Sequence, residues 1–67
     1  MTQNERILYH IMTFGGITPL EALQEYGIMR LASRIHELTV QGYAIKREMV
    51  EAKNRFGEPV RYARYSL

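Results

Sequence analysis

Cysteine is absent from the 67 residues, which excludes a disulfide-stapled secreted mini-protein and every thiolate-based zinc or iron-sulfur site. Imidazole is scarce as well. His10 and His36 stand far apart with no His-x-x-x-His spacing and no carboxylate pair beside them, so neither is expected to ligate a metal; each is read as a satisfied surface or boundary residue. No stretch approaches the ~20 continuous apolar residues of a membrane span. The start Met1-Thr2-Gln3-Asn4-Glu5 lacks the basic opening and apolar run of a signal peptide, so the chain is expected to stay in the cytoplasm without touching a membrane. Length is the remaining deficit. A chain this short supports one domain, residues 1–67, and buries only about 60% of the surface its unfolded form exposes. A two-lobed cleft does not fit into it, so no catalytic residue and no cofactor are expected.

Charge is unevenly placed. Residues 1–41 carry Arg6, Arg30 and Arg34 against Glu5, Glu21, Glu25 and Glu37, a balance of −1. Residues 42–67 carry Lys46, Arg47, Lys53, Arg55, Arg61 and Arg64 against Glu48, Glu51 and Glu58, a balance of +3. The basic character sits in the C-terminal part, where it can meet phosphate.

Apolar residues recur with helical spacing at Ile7, Leu8, Ile11, Met12 and Phe14, which predicts a helix over 4–13 that ends at Gly15-Gly16. Thr18-Pro19-Leu20-Glu21 is a helix start: a threonine cap, proline in the first turn, and a glutamate three residues on to close a capping box. That helix is short and stops near Tyr26, with Gly27 as a sharp turn. Ile17, just before the cap, is read as a staple against the helix or as a very short strand beside a later hairpin. Ile28, Leu31, Ile35 and Leu38 mark a third helix over about 29–40, closed by Gly42. Two helices separated only by the Gly27 turn cross as a helix-turn-helix.

Beyond Gly42 the pattern turns extended. Residues 43–50 predict one strand and 60–67 its return, with 51–59 as the connecting loop around Gly57 and Pro59. Alternation places Ala63, Tyr65 and Leu67 on the helices and turns Tyr62 and Arg64 outward. A two-stranded ribbon is marginal by itself, so Ile45, Tyr65 and Leu67 are expected to pack on the helices. Tyr43 is read as covering the end of the third helix, and Phe56 either as an exposed anchor at the loop tip or as folded back on Tyr62.

Helix, helix, turn, helix, hairpin is an α+β winged helix-turn-helix layout, with the 51–59 loop as the wing. The run from Gly16 through Thr18-Pro19-Leu20-Glu21 and Tyr26-Gly27-Ile28 to Gly42-Tyr43-Ala44-Ile45 resembles the small helix-turn-helix domains of bacteriophages and prophages. The likeness extends over nearly the whole chain, since those domains continue into a basic hairpin ending in Tyr-x-Leu, here Tyr65-Ser66-Leu67. The resemblance implies DNA binding by analogy of fold.

For a third helix in a major groove, the side chains away from its apolar stripe are Met29, Arg30, Ser33, Arg34 and Glu37. Arg30 and Arg34, one turn apart, offer donors to guanine; Ser33 serves base or phosphate; Met29 suits a thymine methyl; Glu37 accepts from cytosine or bridges back to Arg34. Lys53, Arg55 and Arg61 of the wing, with Lys46 and Arg47 on the adjoining strand, suit phosphate or a narrow minor groove. Five phosphate contacts imply a salt slope of about 4.5, at ~0.9 per phosphate. Double-stranded DNA is thus the expected partner, in a regulatory, excision-like or architectural role, with a homodimer or a second DNA-bound protein supplying specificity. The rival is a docking module that grips a host or phage protein as inhibitor or adaptor. Glu21, Glu25 and Glu37 near the reading surface favour it, because acidic groups repel the DNA backbone.

Overall fold

The computed structural model describes residues Met1–Leu67. Three helices, α1 (Gln3–Phe14), α2 (Pro19–Tyr26) and α3 (Leu31–Val40), precede an antiparallel hairpin of β1 (Lys46–Lys53) and β2 (Pro59–Ser66). Both capping boxes at the front of the molecule close. Thr18 Oγ1 accepts from the Glu21 amide at 3.2 Å while the Thr18 amide donates to Glu21 Oε1 at 2.9 Å. Thr2 and Glu5 repeat the arrangement on α1, at 3.1 and 2.9 Å, and start that helix a residue earlier than its apolar pattern indicates. Hydrogen bonds from the Thr2 backbone and then its side chain hold the Glu5 carboxyl below the usual carboxylate range.

The core is Ile7 and Ile11 of α1, Ala22 of α2, Leu31, Ile35 and Leu38 of α3, and Ile17, Ile28 and Tyr65 between them. α1 buries Ile7, His10 and Ile11 and half-buries Leu8, whereas Met12 and Phe14 are exposed. Met12 lies on the opposite face of the helix, and Phe14, in the last turn, passes the edge of the core and covers the His10 ring at 4.6 Å between centroids. His10 is therefore a buried residue and not the surface or boundary one expected.

Gly27 ends α2 with φ 67°, a left-handed conformation that costs a residue with Cβ. The next amide, Ile28, donates back to Ala22 O at 3.0 Å, and this closure drives the Ile28 side chain into the core. Ile28 thus lies in the turn, and α3 begins at Leu31 rather than 29. Met29 and Arg30 precede the helix, with Arg30 at the cap position (φ −116°, ψ 57°).

Ile17 resolves as a strand residue. Its amide donates to Tyr65 O at 2.8 Å and its carbonyl accepts from the Tyr65 amide at 2.9 Å, so β2 is flanked by β1 on one edge and by Ile17 on the other. The ladder pairs Lys46 with Ser66 through to Lys53 with Pro59, longer at the tip than the sequence pattern indicates. The 51–59 loop contracts to residues 54–58, and Tyr43–Ile45 stay outside the ladder. Tyr65 is buried, and Ile45 and Ala63 pack on the core, but Leu67 is half exposed beyond the last rung.

Arg64 does not turn freely outward. Its guanidinium lies over Gly15 and Gly16 and sits 3.8 Å from Glu48 Oε1 on the facing strand. A Cβ on Gly16 would fall within 2.6 Å of Arg64 Nη1 and 2.7 Å of Nη2. Gly16→Ala is expected to displace this flexible side chain at a cost of about 1 kcal/mol, the scale of a partly exposed ion pair with its packing. The same change in an Arg64→Ala background should be neutral or slightly stabilising, because the glycine's excess unfolded-state entropy is all that remains. Urea denaturation of the four proteins of this double-mutant cycle measures the coupling, and full additivity would rule out the contact.

Candidate nucleic-acid interface

α3 packs Leu31, Ile35 and Leu38 inward, so at 100° per residue its outward stripe is Ser33, His36 and Val40, continued by Met29 from the turn. All four are exposed, Met29 at 84% and Val40 at 73%. Arg30 stands exposed at the front end and makes no side-chain cap. The amides of Leu31, Ala32 and Ser33 consequently donate to no protein acceptor. The positive end of the helix is open there, next to a guanidinium.

Arg34 and Glu37 sit on the flank of α3 that faces α1. Arg34 Nη1 lies 3.2 Å from Glu37 Oε1, and the same oxygen accepts from Asn4 Nδ2 of α1 at 3.3 Å. Of the two alternatives for Glu37, the structure shows the bridge to Arg34. Sequence reasoning misses His36, which it reads only as a satisfied surface or boundary residue. Counting three on from Ser33 and four back from Val40 puts it in the middle of the outward stripe.

The hairpin sorts the remaining cations. Cross-strand register aligns Glu51 with Arg61 and Lys53 with Pro59, so Lys53 and Arg61 share one face near the tip. Arg55 projects from the tip itself. Lys46 lies at the opposite end of β1 on the other face, aligned with Ser66, and Arg47 is aligned with Tyr65. None of Lys46, Arg47, Lys53, Arg55 and Arg61 forms an ion pair within the chain.

Asn54 builds the tip. Its Oδ1 accepts from the Phe56 and Glu58 amides, each at 3.0 Å, and its Nδ2 donates to Glu58 Oε1 at 3.1 Å. The one carboxylate of the loop is thereby occupied, while Arg55 is free and Phe56 is 83% exposed. Phe56 does not fold back on Tyr62.

A trihelical core whose α2 and α3 are joined by a four-residue turn, braced by a hairpin whose short tip carries Arg55 close to Lys53, defines a winged helix-turn-helix. The family model described as a winged helix-turn-helix domain matches residues 2–67, and the chain belongs to that family. No curated protein and no solved structure matches the chain. Domains of this class are typically DNA-binding modules without enzymatic activity, which points to DNA as the partner. No helix is long and apolar enough to cross a membrane.

Proposed function

We propose that this chain binds double-stranded DNA by laying α3 in the major groove and its wing along the neighbouring backbone or minor groove. The observation that carries the proposal is the front of α3: three unpaired amides beside Arg30, continued by the exposed Met29, Ser33 and His36. N-terminal residues of a recognition helix are the ones that reach base edges, and free helix amides suit phosphate. Lys53, Arg55 and Arg61 supply the wing contact. Arg34, tied to Glu37, and Lys46 and Arg47, toward the far end of the hairpin, are secondary positions directed at phosphate. The biological role is regulatory, excision-like or architectural, of the phage type that the sequence resemblance implies.

One observation favours the rival of a protein-docking module. Met29 and Val40 make both ends of the outward stripe apolar, and exposed apolar anchors suit a protein groove better than a polyanion.

Fluorescence anisotropy on a mixed-sequence duplex across a salt series separates the two. Binding should weaken steeply with salt. Lys53→Ala/Arg55→Ala should lower the salt slope by roughly 0.9 for each phosphate contact removed, and Arg30→Ala should weaken binding further. An absence of binding at low salt with tens of micromolar protein would overturn DNA binding and leave docking in its place.

A further inference from the structure

We infer that the free edge of β1 pairs with the β1 of a second copy, antiparallel, across a two-fold axis at Met49. The inference uses neither the α3 stripe nor the wing tip; of the residues directed at phosphate it engages only Arg47 and, at its margin, Lys46.

The hydrogen bonds show which backbone groups are free. The Asn54 amide donates to Glu58 O. Alternation along the ladder then turns the N–H and C=O groups of Lys46, Glu48, Val50 and Ala52 toward β2. Tyr65 agrees from the other side, spending both its backbone groups on Ile17. The N–H and C=O groups of Arg47, Met49, Glu51 and Lys53 therefore point away from the sheet, and no other backbone hydrogen bond uses them. An unpaired edge of this kind is a template for another strand.

Side-chain charge and strand overlap together select one register. A two-fold axis at Arg47 sets Arg47 against its own copy; at Glu48 or Glu51, it opposes two carboxylates. At Val50 it sets Arg47 against Lys53 twice, and at Ala52, where Glu51 meets Lys53, only residues 51–53 of the two strands overlap. Only the axis at Met49 opposes Arg47 to Glu51, twice, with Met49 on Met49 between them. On the other face the same register places Lys46 by Ala52 and Glu48 by Val50, with no like charges opposed. The residues it aligns are the outward-turned ones, so Arg47–Glu51, Met49–Met49 and Glu51–Arg47 all exchange backbone hydrogen bonds. Met49, 42% exposed in the single chain, gains an apolar partner. Opposite charges across a strand pair are favourable and like charges unfavourable, so this register prevails.

A two-fold axis perpendicular to the sheet keeps both helical layers on one side of the resulting four-stranded sheet. The two α3 helices are then related by that same two-fold axis, the symmetry that a palindromic DNA site has. The interface is a short strand edge, well below the usual size for a stable complex, so association is weak.

The test is amide exchange and sedimentation on the intact protein without DNA, from micromolar to millimolar concentration. The amides of Arg47, Met49 and Glu51 should gain protection as concentration rises, whereas Glu48 and Val50, bonded to β2, should be protected throughout. Arg47→Glu and Glu51→Arg, both at exposed positions, should each weaken self-association about tenfold or more. Mixed in equal amounts, they should associate with each other, because each supplies the charge the other lacks. A chain that stays monomeric at millimolar concentration, protection that does not follow this alternation, or a mixture no better than its components would overturn the proposal. Exchange on the unaltered protein decides the question even where a variant folds poorly.

Discussion

Ile17→Ala is expected to leave most of the protein unfolded at physiological temperature. Ile17 is wholly buried and joins the core of the three helices, and its backbone makes the only hydrogen bonds between β2 and the segment joining α1 to α2. Truncating a buried isoleucine costs roughly 2–5 kcal/mol through lost transfer energy and the cavity left behind. A single core in a domain of this size rarely supplies more than about 3–5 kcal/mol in total. The substitution therefore removes most or all of the margin. Chemical denaturation followed by circular dichroism gives the measurement, with Met12→Ala as the comparison: Met12 is 77% exposed and its loss should stay within about 0.5 kcal/mol. An Ile17→Ala protein that loses less than that same amount would mean the short third strand is not part of the cooperative unit.

Ile17 also shows where sequence reading stops. Thr18-Pro19-Leu20-Glu21 names its own conformation, because cap, proline and glutamate act within one turn of chain. Gly27 likewise marks a turn by itself. In the sequence Ile17 reads equally as staple and as strand, since the choice depends on Tyr65, 48 residues away. α3 starts later than its apolar spacing predicts for a related reason: Arg30 is not a capping residue, and the helix begins where Ile28 has already been drawn into the core. The wing is shorter than the sequence pattern predicts because strand residues such as Glu51 and Lys53 carry no local strand signal. Their partners across the ladder, Arg61 and Pro59, keep them extended.

The candidate site was legible to a similar degree. Sequence could identify the exposed cations of the hairpin, but not that Asn54 withdraws Glu58 from the loop and leaves Arg55 unpaired. Four-residue spacing puts Arg30 and Arg34 together on one helix face. In the folded chain Arg30 precedes the helix and stands free, while Arg34 joins Glu37 at the α1 seam. Spacing along a helix reports only which residues share a face. Which flank is covered depends on where α1 lies, and that is a tertiary fact. The same holds for Arg64, whose resting place exists only because Gly16, on the neighbouring segment, has no side chain.

The buried polar pair between α1 and α2 carries the second large effect. His10 Nδ1 lies 2.7 Å from Tyr26 Oη, and His10 Nε2 lies 3.7 Å from Glu21 Oε2 with no hydrogen-bond partner. A neutral imidazole has one donor and one acceptor nitrogen, and a carboxylate only accepts. The ring proton therefore belongs on Nε2, facing Glu21, and the Tyr26 hydroxyl donates to Nδ1. Tyr26→Phe would leave the buried ring with neither nitrogen satisfied, at a cost of about 1–3 kcal/mol near neutral pH. A second signature separates this from simple loss of packing. Burial, followed by the neighbouring Tyr9 and Glu25, raises the Tyr26 phenol above its ordinary value. The unfolded chain thus releases that proton first, near pH ~10, and above this point binds fewer protons than the native state. Stability from Tyr26 is complete below about pH 10 and is lost as pH rises toward the folded-state value. Urea melts across an alkaline series should show the intact protein losing stability faster than Tyr26→Phe, the two curves converging as pH climbs. Parallel curves would mean that the phenol ionises alike in both states and that its burial between α1 and α2 does not hold the proton in the folded chain.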